Sequence, residues 1–129
     1  MSSTGESSSR KRVLVADDDD AVCALLIRAL GSLATVVSVA DGEAALAAVR
    51  SGPFDAIVSD YALPGMDGID FVRAVRALKT EPAVPILMIS GHGREVVDGP
   101  ARAAGANAFL AKPFSLAQLR ATLRRLLGL

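Results

Sequence analysis

Short apolar runs recur along the chain, and an amphipathic stretch follows each of them. The runs predict five strands, at 13–16, 35–40, 54–59, 85–90 and 107–111. Most are continuously apolar instead of alternating, which indicates strands covered on both faces, as in a parallel sheet. The amphipathic stretches predict helices at 20–31, 42–51 and 68–79, within 93–105, and at 116–127. This strict alternation predicts a doubly wound α/β domain with helices on both faces of the sheet.

Capping residues mark several of the predicted helix starts. Asp41 and Asp67 stand where N-caps belong, so that a carboxylate can accept hydrogen bonds from the first turn. Ser115 and Gln118 have the S-x-x-Q spacing of a capping box. These signals place the starts of the second, third and fifth helices.

The fourth helical segment, residues 93–106, contains a proline in its middle. Inside a helix, Pro100 would lose a backbone donor and clash with the preceding turn, at a cost of about 3 kcal/mol or more. It also disfavours the helical conformation at Gly99, whereas proline is well suited to the first position of a helix. We therefore predict a short fourth helix that begins near Pro100 and ends before Gly105, with a loop or separate turn at 93–99.

Length and composition set limits on the class of protein. The 129 residues suit one domain, and 51% of them are apolar, which is enough for a core. Fourteen basic residues balance fourteen acidic ones, so we expect no direct nucleic acid or membrane partner. The lone Cys23 indicates a reducing compartment and a cytoplasmic protein. The polar residues 1–10 are expected to form a disordered tail ahead of a single domain at 11–129.

Polar residues follow the predicted strands where each strand ends. Asp17, Asp18, Asp19 and Asp20 follow the first strand, and the third, fourth and fifth strands end at Asp60, Ser90 and Lys112. The carboxyl ends of parallel strands share one edge, where ligands bind, so these groups should converge. Asp19 and Asp20 are interpreted as residues that favour the helix macrodipole.

The converging groups indicate phosphoryl chemistry on a metal. Asp17, Asp18 and Asp60 would repel one another at short range and call for a counter-charge. Oxygen ligands suit Mg²⁺, and a metal and a lysine together can neutralise the oxygens of a transferring phosphoryl group. Ser90 can donate a hydrogen bond to one of those oxygens. Because aspartate is an established phosphoryl acceptor, we interpret Asp60 as the nucleophile.

Four motifs carry a resemblance to a known family: VLVADD, SDYALPGMDG, LMIS and AFLAKPF. Their order and spacing over residues 11–127 resemble the receiver domain of bacterial two-component response regulators, such as the chemotaxis receiver. The resemblance implies a flavodoxin-like sheet of five parallel strands in the order 2-1-3-4-5. It also implies a phosphoprotein of phosphorelay signal transduction that catalyses only its own aspartyl phosphorylation and dephosphorylation.

The resemblance assigns roles to individual residues. It implies that Asp60 accepts a phosphoryl group from a sensor histidine kinase or phosphotransfer protein. Asp18 and Asp60 would bind Mg²⁺ directly and Asp17 through water, with the backbone carbonyl of Ala62 completing the metal site.

Further implied roles concern the phosphoryl oxygens and the switch. Ser90 and Lys112 would contact the phosphoryl oxygens, and the Lys112–Pro113 bond would be cis. Phe109 matches the switch aromatic, which turns inward when the hydroxyl residue moves toward the phosphate. The alternative for Phe109 is a plain core residue. His92, the only histidine, is expected to be an exposed loop residue.

Output and oligomeric state depend on a face that this family commonly builds from the fourth helix, the last strand and the fifth helix. A fourth helix shortened at Pro100 would make the usual symmetric dimer doubtful, so a monomer or weak dimer is expected. The output protein is unknown from the sequence. We expect a stand-alone receiver, and a piece of a larger regulator is the alternative.

Three other interpretations remain open. A haloacid-dehalogenase-like phosphohydrolase would use Asp17 as nucleophile in a D-x-D pattern and would leave Asp60 unexplained. A dinucleotide-binding module needs a glycine-rich turn after the first strand, where four aspartates stand. A pseudo-receiver interaction module would have lost part of the acidic pocket or the lysine. The first alternative is distinguished by which aspartate carries a trapped phosphoryl group.

Overall fold

The computed structural model describes residues 10–129. The predicted disordered tail therefore lies outside the described residues, except for Arg10. The strands are β1 Lys11–Ala16, β2 Ala34–Val39, β3 Ala56–Asp60, β4 Ile86–Ser90 and β5 Ala108–Ala111. The α-helices are α1 Asp20–Leu30, α2 Gly42–Ser51, α3 Gly68–Ala77, α4 Arg94–Ala104 and α5 Leu116–Leu127, with a short 3₁₀ helix at Gly31–Leu33.

The five strands form one parallel sheet in the order β2-β1-β3-β4-β5, which confirms the predicted fold. The side chains of β3 and β4 are buried along their whole length, as the continuous apolar runs predicted. The edge strand β2 is more exposed, with Thr35 and Ser38 open to solvent. Within residues 10–129, no helix has the length and hydrophobicity needed to cross a membrane.

Alternate side chains of each strand enter two separate apolar layers. One layer packs the sheet against α1 and α5, and the other packs it against α2, α3 and α4. In β1, for example, Val13 and Val15 face the first layer while Leu14 and Ala16 face the second. The sheet is thus fixed on both faces, and its carboxyl edge holds the loops that follow the strands.

The predicted caps are present. The Asp41 and Asp67 side chains accept hydrogen bonds from the first turns of α2 and α3. Ser115 and Gln118 form both halves of the capping box of α5. Asp19 caps α1 by accepting a hydrogen bond from the backbone of Ala21. These local interactions explain why α2 and α5 begin where the sequence predicted.

The prediction for the fourth helix is wrong. The helix α4 runs without interruption from Arg94 to Ala104 and contains Pro100 in its interior. The predicted loop at 93–99 does not form, and helical structure continues on both sides of the proline. The doubt about a symmetric dimer depended on a shortened fourth helix. Since the helix is not shortened, that argument no longer applies.

Packing and charge explain why the helix continues through the proline. Val97 and Ala101 are fully buried on one face, and burying a valine stabilises by about 1.5–3 kcal/mol, comparable to the proline penalty. On the other face, Asp98 pairs with Arg94 at 3.2 Å and with Arg102 at 2.6 Å, and the pair with Arg102 spans the proline. Gly99 has no Cβ to meet the proline ring, which relaxes the usual restriction on the preceding residue.

Candidate functional site

Three carboxylates meet at the carboxyl edge of the sheet. Asp17 and Asp18 follow β1, Asp60 ends the neighbouring β3, and one oxygen of each lies within 4.8 Å of the others. Asp17 and Asp60 are 7% and 6% exposed, whereas Asp18 is open to solvent. The predicted convergence is therefore present, and the cluster is accessible from the side of Asp18.

Lys112 reaches the same cluster from the end of β5. Its Nζ lies 3.4 Å from Oδ2 of Asp17 and 3.3 Å from Oδ2 of Asp60. The other oxygen of Asp17 accepts a hydrogen bond of 2.8 Å from the backbone N–H of Asp19. The Lys112–Pro113 peptide bond is cis, as the resemblance implied. One ammonium group thus bridges the two buried carboxylates.

The electrostatics of the site leave negative charge in excess. Burial raises the pKa of Asp17, and repulsion by Asp60 adds to this, although the Asp19 N–H and Lys112 oppose the change. Burial lowers the pKa of Lys112, but the attraction of Asp60 and Asp17 outweighs it, so the net pKa is raised. Folding raises the pKa of the Asp17 carboxyl above its value in the unfolded chain. The native state therefore loses stability as the pH rises from the unfolded-state pKa to the raised native-state pKa. A bound cation would offset this penalty at neutral pH.

The donor set suits a hard divalent cation. All three groups offer carboxylate oxygens within reach of one ion, and Mg²⁺ is held in proteins by one or two carboxylates with water completing the octahedron. The exposed position of Asp18 leaves room for such waters. The residues present therefore fit Mg²⁺.

The loop after β3 is held by a close approach of two backbone segments. Gly68, the first residue of α3, donates a hydrogen bond of 2.7 Å to the carbonyl of Tyr61. A Cβ on Gly68 would lie 2.5 Å from the Asp60 carbonyl oxygen. Gly65 adopts a φ of 79°, which the Pro-Gly turn requires and which only glycine adopts freely. Gly68 could not be singled out from the sequence, because nothing in the neighbouring residues shows that this position meets another backbone segment.

The remaining predicted residues surround the cluster. Ala62 lies beside Asp60, with its backbone nitrogen 3.4 Å from Oδ1 of that carboxylate. Ser90 ends β4 next to β3 and is fully buried, and its hydroxyl accepts a hydrogen bond from the backbone of His92. His92 is exposed, as predicted, and its ring stands edge-on to Tyr61 with centroids 5.3 Å apart. This aromatic pair at the rim was not predicted.

Phe109 lies in the layer beneath α4, apart from the carboxylates. Its ring is only 5% exposed, and the guanidinium of Arg94 lies 4.9 Å from the ring centroid. A cation over an aromatic face is attracted by the ring quadrupole. Arg94 is a basic residue at the start of α4, where the helix macrodipole disfavours positive charge. This unfavourable position was one signal in the sequence that the Arg94 side chain has another partner. The ring is thus inward and covered in this structure.

Measurements of Mg²⁺ affinity should distinguish Asp18 from its neighbour Asp19. We expect Asp18→Ala to weaken Mg²⁺ binding by about tenfold or more, because it removes a carboxylate oxygen from the cation site. Asp19→Ala is the matched control, since that side chain caps α1 and is outside the cluster. Isothermal titration calorimetry of both variants measures the difference. Equal losses of affinity would contradict the assignment of Asp18 to the metal.

The chain is similar to a known family and to individual proteins of that family. The model of the response regulator receiver domain matches residues 13–124. The transcriptional regulatory protein TcrA of Mycobacterium tuberculosis is 40% identical over 116 residues, which cover 89% of this chain and 45% of that protein. The chain thus spans less than half of this relative's length. The chemotaxis protein CheY of Pseudomonas aeruginosa is 34% identical over 118 residues, covering 89% of this chain and 94% of CheY.

A solved receiver domain structure has the same fold as this chain. The receiver domain of a Pseudomonas aeruginosa sensor histidine kinase superposes with a TM-score of 0.81 at 31% sequence identity. The alignment covers 93% of this chain and 99% of that domain. That structure was determined with a magnesium ion coordinated in its active site cleft.

Proposed function

The chain belongs to the response regulator receiver family, and from that premise we propose that Asp60 is its phosphoacceptor. The observation that carries the proposal is the position of this carboxylate at the end of β3. It lies with Asp17 and Asp18 within reach of one cation, and Lys112 lies 3.3 Å away. Receiver domains are signalling modules, and their acidic site binds Mg²⁺. The site arrangement supports phosphoryl transfer to this particular residue.

In the proposed reaction, an oxygen of Asp60 attacks the phosphorus atom of a phosphohistidine on a sensor kinase or phosphotransfer protein. A P–O bond forms as the P–N bond breaks, and the imidazole, which already carries a proton on its other ring nitrogen, leaves as the neutral base with the bonding electrons. Lys112 neutralises charge on the phosphoryl oxygens, and Ser90 donates a hydrogen bond to one of them. Mg²⁺, held by Asp18 and Asp60 and by Asp17 through water, would neutralise further charge. The carbonyl of Ala62 is the remaining proposed ligand.

We assign the switch to Ser90 and Phe109. Movement of the Ser90 hydroxyl toward a phosphoryl group would break its hydrogen bond with the His92 backbone. The inward position of Phe109 under Arg94 is the orientation that the resemblance associates with the phosphorylated form. In this proposal the ring leaves that position when the phosphoryl group is lost, and the face formed by α4 and β5 changes with it.

The phosphodonor would approach through an open groove beside the site. Ala21, Val22, Leu25 and Phe114 line it, with Lys112 at one end. Receiver domains interact with histidine kinases or phosphotransfer proteins, and an apolar groove next to the acceptor gives such a partner a surface to pack on. The expected lack of a direct nucleic acid partner stays a prediction, since relatives include DNA-binding regulators.

Family membership decides against the dehalogenase and dinucleotide-binding alternatives. The pseudo-receiver alternative is disfavoured because the acidic triad and Lys112 are all in place. We further propose a receiver unit over residues 11–129, acting as a stand-alone receiver that catalyses only reactions on its own aspartate. A cytoplasmic location remains a proposal, which rests on the lone Cys23 and on the class of partner.

The proposal is tested by trapping the acceptor. The protein is incubated with beryllofluoride and Mg²⁺, and the modified carboxylate is identified by a crystal structure or by backbone chemical shifts. We expect the adduct on Asp60, with the largest shift changes in residues 59–62 and 90–92. An adduct on Asp17 would support a dehalogenase-type nucleophile instead, and an absence of adduct would support the pseudo-receiver.

A further inference from the structure

A basic and apolar surface lies at the edge of the molecule opposite the phosphorylation site. The helices α1 and α5 pack on the same face of the sheet. Both run opposite to the parallel strands, so both end at the edge away from Asp60. A contact of 3.3 Å from Arg120 Nε to the carbonyl of Ala29 joins α5 to the last turn of α1. We define the α1–α5 end as Ile27, Arg28, Leu33, Arg120 and Arg124.

Two large aliphatic side chains of this surface are in contact with solvent. Ile27 is 54% exposed and Leu33 is 39% exposed. They lie only six positions apart, at the end of α1 and in the 3₁₀ helix that follows it. Within residues 10–129 most large apolar side chains are buried in the two layers. Exposed aliphatic side chains carry an argument for a contact surface only together with the charges beside them.

The charge around these aliphatic residues is positive and locally uncompensated. Arg28, Arg120 and Arg124 are exposed, and none of them belongs to an ion pair formed within residues 10–129. Arg10 adds a fourth guanidinium, held 3.1 Å from the carbonyl of Ala34, directly after Leu33. The sequence contains no aspartate or glutamate in residues 21–40 or 99–129. The α1–α5 end is therefore basic, although the net charge of the whole chain is zero.

Helix stabilisation does not account for this combination. Every α-helix carries an arginine in its last turn, which the macrodipole favours without any partner. Arg50 of α2 is such a residue. The α1–α5 end differs because exposed Ile27 is next to Arg28 in the same helix, and the Arg10 guanidinium is held on Ala34, the residue after exposed Leu33. Arginine combined with apolar groups is characteristic of protein interfaces, whereas contacts to nucleic acid phosphates are made by basic and polar groups.

We propose that the α1–α5 end binds an acidic amphipathic segment of a partner protein. Carboxylates of that segment would pair with Arg28, Arg120 and Arg124, while its apolar side chains cover Ile27 and Leu33. The surface lies at the opposite edge from Asp60, so this binding does not depend on phosphorylation. It provides a second attachment site, separate from the groove for the phosphodonor and from the α4–β5 face.

The test uses the isotope-labelled full chain and a synthetic amphipathic peptide, with glutamate on one helical face and leucine on the other. We expect saturable amide shift changes confined to residues 27–34 and 120–125. The double variant Arg28→Glu/Arg124→Glu should bind about tenfold more weakly or worse, since two attractive charges become repulsive. Ile27→Ser should also weaken binding severalfold. Arg50→Glu, the matched control, and prior beryllofluoride treatment should leave the affinity unchanged.

Several results would overturn the proposal. They are an absence of saturable binding, shift changes outside the α1–α5 end, or unchanged affinity in the double variant or in Ile27→Ser. Tighter binding of duplex DNA or of phosphatidylglycerol vesicles to the same residues would assign the surface to another class of partner and equally overturn it. If the double variant does not fold, Arg28→Gln/Arg124→Gln replaces it. The spectrum and beryllofluoride binding of each variant report whether it is folded.

Discussion

An Asp60→Asn variant is expected to gain no phosphoryl group from acetyl phosphate in the presence of Mg²⁺. The amide has nearly the shape of the carboxylate, but it is neutral and is not an effective nucleophile toward phosphorus. It also offers Lys112 and the cation less negative charge than the carboxylate does. Intact-mass spectrometry measures the modified fraction in the variant and in the wild-type protein.

Asp67→Asn is the matched control for this experiment. Asp67 lies in the same loop, and its side chain caps α3 by accepting a hydrogen bond from Asp70. Asparagine is about as good an N-cap as aspartate, so the loop should keep its conformation. The control should therefore be phosphorylated like the wild type. Undiminished phosphorylation of Asp60→Asn would show that the acceptor is another residue.

A Gly68→Ala variant should be destabilised by about 1–3 kcal/mol, the usual penalty for adding atoms to a tightly packed site. Its Cβ would lie 2.5 Å from the carbonyl oxygen of Asp60 and 2.8 Å from Cα of Tyr61. Both neighbours are backbone atoms, which cannot rotate away as the end of a side chain can. Relief of the overlap must move α3 or the loop that carries Asp60. We therefore expect slower phosphorylation together with lower stability.

Gly91→Ala is the control for the Gly68 variant. Gly91 is in the loop after β4 and has no positive φ, and a methyl group added there would meet no atom of residues 10–129 within 4 Å beyond its own chain neighbours. Chemical denaturation should show a change in its free energy of unfolding close to zero, since exposed substitutions usually stay within about 0.5 kcal/mol. Equal stability of Gly68→Ala and Gly91→Ala would mean that the loop accommodates the methyl group without strain.

The sequence predicted the fold and the carboxylate cluster because both depend on local patterns. Continuous apolar runs mark buried parallel strands, and the parallel arrangement brings the residues that follow them to one edge. Asp60 and Lys112 could thus be placed together, although they are 52 residues apart. Strand ends were less accurate: β3 begins at Ala56 and not at 54, because Phe54 packs under the Arg12 guanidinium outside the ladder.

Contacts between distant segments could not be predicted in this way. The close approach of Gly68 to Asp60 and the stacking of Arg94 on Phe109 depend on how elements pack, not on their own sequences. The error at Pro100 has the same origin. The local penalty of the proline was known, but the burial of Val97 that offsets it could be seen only in the packed helix.

The proline inside α4 also divides the helix into two parts that can open separately. Pro100 has no N–H group, so the carbonyl of Val96 lacks its usual intrahelical donor. The remaining backbone hydrogen bonds of the continuous helix and the Asp98–Arg102 ion pair still join the turns on either side of the proline. Segments with fewer hydrogen bonds and fewer buried contacts open more readily than the rest of a fold. We therefore expect the half of α4 that carries Arg94 to open from Phe109 more readily than the half that carries the buried Ala101 leaves the sheet.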